Sequence, residues 1–78
     1  MQSVSDDDVK HIWSDTYNFF LKYKDVDCVD LADEIVLAYN TISDNYNNCE
    51  LVKGMLDSVM MIFKSRSKKY QELVKRGD

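Results

Sequence analysis

Apolar residues return at three- and four-residue steps along three stretches of this chain, the spacing that lines one face of an α-helix. In the first stretch Val9, Ile12, Trp13, Thr16, Phe20 and Tyr23 share a face. Ser5 precedes them as an N-cap, with Asp8 three residues on in a capping-box-like arrangement. Asp6, Asp7 and Asp8 fill the first turn, where the helix dipole favours negative charge, which explains the triplet better than a metal site does. Lys24 to Asp27 reads as a turn, and Asp27 as the N-cap of a second helix whose buried face runs through Cys28, Leu31, Ala32, Ile35, Ala38, Tyr39 and Ile42. Ser43-Asp44-Asn45-Tyr46-Asn47-Asn48 is the clearest loop, because its side chains compete for backbone hydrogen bonds. Asn47 or Asn48 then caps a third helix, with Val52, Met55, Leu56, Val59, Ile62, Phe63, Arg66, Tyr70, Leu73 and Val74 on one face almost to the end.

These elements predict an all-α fold, a small three-helix bundle with a long C-terminal helix. It forms one domain over residues 1–78, with helices at about 5–23, 28–42 and 48–75. At about 1.5 Å per residue the first helix spans roughly 28 Å and the third about 40 Å, so the third should overhang its neighbours. Tyr70, Leu73 and Val74 lie on that overhang and are candidates for packing on a second copy or another protein.

Composition supports helices. Hydrophobic residues make up 45% of the chain and aromatics 12%, whereas there are two glycines and no proline to punctuate the turns of an all-β protein. Cys28 and Cys49 are too few for a disulfide framework and lack CxxC spacing. A thiol at a helix start can be reactive, but burial as a small apolar side chain is the commoner fate. No charged segment leads into an apolar run at the N-terminus and no run is long enough to span a membrane, so the cytoplasm is the expected compartment.

Catalytic chemistry finds little support. His11 projects from the polar side of the first helix near Asp15, and general acid–base work needs a positioned, desolvated partner that this pair lacks. The run from Asp25 to Asp30 begins like a calcium loop, but Asp30 stands where glycine is needed and Val36 where a bidentate Glu is required. No enzyme activity, metal or cofactor is expected.

Charge is distributed unevenly. Through Met61 twelve acids face four bases, a balance of −8; from Ile62 onward six bases face two acids, a balance of +4. Asp27, Asp30 and Glu34 share a face at helical spacing, flanked by Asp33, and Leu37 points away from the predicted core with Val29 and Val36 at its margin. Met61 is a comparable apolar outlier on the third helix. The acidic face reads either as a solvated surface or as a docking surface for a partner with a basic surface, which charge complementarity would recruit. Lys64, Lys68 and Lys69 are candidate nucleic-acid contacts, although the acidic body would repel the same backbone. Pairing of the basic tail with an acidic helix of another copy is the competing reading.

Trp13 in a helix that ends in Phe19-Phe20-Leu21-Lys22-Tyr23, followed by a short second helix and a Tyr-Asn loop, resembles small acidic helical proteins of bacteriophages and of mobile elements in Gram-positive bacteria. The resemblance covers residues 5–70 in pattern, with no shared motif, so no functional residue carries over. Proteins of that kind include inhibitors of host defence, anti-CRISPR proteins among them. It implies a non-catalytic inhibitor of a host nucleic-acid-binding protein; a homo-oligomer built through the C-terminal helix and a small DNA-binding adaptor are the alternatives.

Overall fold

The computed structural model describes residues 4–76, which form four helices: α1 (Asp6–Tyr23), α2 (Ala32–Asn45), α3 (Glu50–Arg66) and α4 (Lys68–Arg76). The first three form the bundle, each packing on the other two, and α4 packs on α3 alone among the helices. No strand occurs among the described residues.

Helix α1 starts as its capping pattern predicts, with the Asp8 amide donating to the Ser5 hydroxyl at 3.1 Å. Its buried stripe is Ile12, Thr16, Phe19 and Tyr23, so the core-facing side is turned from the expected one: Phe19 enters the core, Phe20 is half-buried and Trp13 is exposed. Steps of four, three and four residues make this the straighter line along the helix. The Phe19 ring meets Tyr23 and Phe63 edge-on, each at 5.6 Å between centroids. Thr16 is buried without cost because its hydroxyl donates to the Ile12 carbonyl at 2.7 Å. Helix α3 answers with Val52, Leu56, Val59 and Phe63, and α2 contributes Ile35.

The helix boundaries depart from the sequence expectation in several places. At its C-terminal end α2 runs on to Asn45, past the expected end at 42, so Ser43, Asp44 and Asn45 of the expected loop are helical, with Ser43 buried and its hydroxyl donating to the Asn48 side chain. Helix α2 begins at Ala32, four residues late, because residues 28–31 form a separate turn. Asp27 caps that turn instead of the helix: its carboxylate accepts from the Val29 amide at 2.9 Å, and its carbonyl from the Asp30 amide at 3.1 Å. Leu31, at φ −118° and ψ 30°, separates turn from helix. The long C-terminal helix is likewise two helices, α3 and a short α4, broken at Ser67 in the extended conformation (φ −88°, ψ 113°). The overhang is thereby folded into a joint. Finally, Cys49 holds the N-cap position of α3, while Asn47 and Asn48 both turn the chain at φ 55°.

Candidate interaction surfaces

The five residues of the predicted acidic face divide into two groups. Asp27 and Asp30 hold α4 in place. The Asp27 carboxylate accepts from the Ser67 hydroxyl at 2.7 Å, and Asp30 accepts from Lys69 Nζ at 2.6 Å. Asp33, Glu34 and Leu37 remain exposed on α2, with Leu37 67% accessible. Glu34 and Leu37 line an open groove of about 510 Å³ between α1 and α2, whose apolar wall is completed by Phe19, Tyr23, Ala38 and Ile42. Asp15, Asn18, Lys22, Thr41 and Asn45 give it a polar rim.

The C-terminal candidates divide in the same way. Tyr70 is half-buried against the core, its amide donating to the Ser67 hydroxyl oxygen at 2.9 Å and Lys64 Nζ lying 5.5 Å from its ring centre. Leu73 and Val74 stay 52% and 48% exposed on the far turns of α4. Of the three lysines considered for nucleic acid, Lys69 is paired with Asp30 and Lys64 sits over Tyr70, while Lys68 is exposed. The basic tail thus meets an acid of its own chain at the α4 joint.

Electrostatics reinforce the joint. The Ser67 hydroxyl and then the Val29 amide hold the Asp27 carboxyl below its ordinary range, with Lys69 adding to the effect, and Asp30 raises Lys69 above the usual lysine value. Two tyrosine–aspartate contacts brace the bundle elsewhere. Tyr39 donates to Asp57 between α2 and α3, and Tyr46 donates to Asp15 from the loop to α1. These carboxylates push both phenols up to about 12. Asp15 is therefore engaged by Tyr46, and His11 stands exposed beside it. Among the described residues no three histidine, cysteine or acidic side chains come together as a metal-binding group, and no helix is long and apolar enough to cross a membrane. Cys28 is buried and Cys49 half-buried.

The sequence reading missed two surfaces, an aromatic stripe on α1 and the groove. Trp13, Tyr17 and Leu21, four residues apart on α1, are all exposed. Tyr17 stacks on Phe20 at 6.3 Å, Phe20 on Phe63 at 6.2 Å, and the Arg66 guanidinium lies 5.4 Å from the Phe20 ring. The i, i+4, i+8 spacing was the available signal, obscured by Phe19 and Phe20, either of which could face the core. The groove was missed because Ala38 and Ile42 both read as core positions. Compared with protein families, curated proteins and solved structures, the chain matches none of them.

Proposed function

We propose that this chain is a non-catalytic, cytoplasmic protein-interaction module that presents the Leu37 face of α2 to a partner with a basic surface. The carrying observation is Leu37 itself. A leucine two-thirds exposed, beside an apolar groove, sits on a helix bearing Asp33, Glu34 and Asp44 and no basic residue. An apolar anchor gives such a contact its affinity, and the surrounding acids select and steer the partner. The resemblance to phage and mobile-element proteins supplies the partner class, a host nucleic-acid-binding protein whose basic groove the acids would cover. With Asp27 and Asp30 committed to the α4 joint, Asp33, Glu34 and Leu37 form the proposed contact.

The test is capture from nuclease-treated bacterial lysate, followed by affinity measurement with the purified partner. Leu37→Ala is expected to weaken binding about tenfold or more. Asp33→Lys with Glu34→Lys is expected to slow association and remove its salt dependence. Affinity unchanged by all three substitutions would sink the assignment. A second reading, a homo-oligomer built through α4, draws on the exposure of Leu73 and Val74. A DNA-binding adaptor would rely on Lys68 and Lys75, the tail lysines exposed and outside the joint.

A further inference from the structure

We propose that the α1–α2 groove is filled by α4 of a second copy of this chain. Three observations meet in this assignment. First, α4 is strongly amphipathic, yet only Tyr70 of its apolar side is covered; Leu73 and Val74, adjacent on the next turn, face outward. Secondly, the groove is an apolar concavity of about 510 Å³ floored by Phe19, Tyr23 and Ile42, with room for two aliphatic side chains. Thirdly, the charges are complementary. Outside the joint helix α4 carries Lys68 and Lys75 against Glu72, whereas α2 carries Asp33, Glu34 and Asp44 against no base and the α1 rim of the groove adds one acid, Asp15, and one base, Lys22. An amphipathic helix laid in an apolar groove, with charges of opposite sign at the margins, is a recurrent mode of protein recognition.

The protein cannot satisfy this pairing within one chain as folded, because α4 is clipped to the 27–30 turn and packs on α3 alone among the helices. Every copy carries both halves of the junction, so two copies can exchange α4 segments reciprocally and close a two-fold dimer. At about 1.5 Å per residue, the nine residues of α4 span roughly 13 Å, enough for one such contact per copy. The inference rests on the second reading above, the homo-oligomer built through α4, and deepens it by naming the surface that receives α4. It shares Leu37 with the foreign partner, so dimer and complex would compete. It is also tested separately, because self-association is read on the purified chain alone.

The experiment is sedimentation of the full chain from about 1 μM to about 1 mM, with far-UV circular dichroism to confirm that each variant keeps its helices. Leu37→Asp alters the groove, Leu73→Asp alters α4, and Met61→Asp, 70% exposed on α3, serves as the control. The expected result is a concentration-dependent dimer weakened about tenfold or more by each of the first two substitutions and unchanged by the third. A chain that stays monomeric throughout overturns the proposal and leaves the groove to a foreign partner. Association that survives either of the first two substitutions, or that Met61→Asp weakens equally, overturns it as well.

Discussion

The joint after α2 and the joint after α3 both stop a helix without glycine or proline, and they do so by different means. After α2 the chain turns through Asn47 and Asn48 at φ 55°, a conformation that asparagine tolerates better than most residues. The reversal is held by its immediate surroundings: the Asn48 amide donates to the Ser43 carbonyl at 2.8 Å and the Ser43 hydroxyl to the Asn48 side chain at 2.7 Å. After α3 the backbone at Ser67 is extended and open to almost any residue. Its geometry is set from forty positions away, by Asp27. The backbone turn of one joint is set by adjacent residues, with Tyr46 tying it to Asp15 of α1, whereas that of the other is set by a tertiary contact. They should therefore fail differently: the first by destabilising the whole bundle, the second by releasing α4.

The largest effect is expected from Ser67→Ala. Ser67 is buried and its hydroxyl has two partners, accepting from the Tyr70 amide at the start of α4 and donating to Asp27. Its loss removes the N-cap of α4, worth up to about 2 kcal/mol, and one of the two donors to the half-exposed Asp27 carboxylate. Hydrogen exchange should show the change in residues 68–76 first, with α1 to α3 retaining their order. Uniformly increased exchange across all four helices would mean that α4 is part of the bundle's cooperative unit, and the contrast between the joints would fail.

Asn47→Val should act the opposite way. A β-branched residue at positive φ is strained, and the cost is about 1 kcal/mol. Denaturant unfolding should move to lower concentration for the molecule as a whole, with the exchange of α4 relative to α3 unchanged. An unshifted midpoint would show that the turn relaxes and that its left-handed conformation is not essential.

This difference between joints also separates what could be read in the sequence from what could not. The start of α1 was legible because Ser5 and Asp8 are three residues apart, and the turn at Tyr46, Asn47 and Asn48 because its side chains compete locally with the helix, whereas Ser43, Asp44 and Asn45, read as the same loop, belong to the last turn of α2. The break at Ser67 was not, since Phe63, Arg66, Tyr70 and Leu73 keep helical spacing straight through it. Only when Asp27 and Asp30 come alongside does bending there gain two side-chain bonds and the packing of Tyr70. Asp27 was legible as a cap, but not as a cap for a separate turn with a second donor in Ser67. The candidate surfaces follow the same division. Leu37 could be found from its spacing alone, whereas the withdrawal of Asp30 from the acidic face depends on Lys69, thirty-nine residues distant.

The smallest and most selective test is pH. The Asp27 carboxyl titrates below its ordinary range when folded, so its contribution is fully present above the unfolded value of about 3.9 and is lost as pH falls through the lower folded value. Lys69 is shifted upward, so its contribution is present below about 10.4 and lost as pH rises through the folded value. That exposed pair with Asp30 should matter less, because both partners are largely hydrated. The joint should therefore hold from about pH 4 to about pH 10 and loosen first on the acid side. The Tyr70 ring, packed on the core, is a suitable reporter: its NMR shifts should stay constant across that window and move towards free-tyrosine values below it. Asp27→Asn retains an amide oxygen able to accept from Val29 and Ser67 but does not titrate, so it should suppress the acid transition at Tyr70. If the transition persists in that variant, acid is acting on another carboxylate, and Asp27 is not what holds α4 to the bundle.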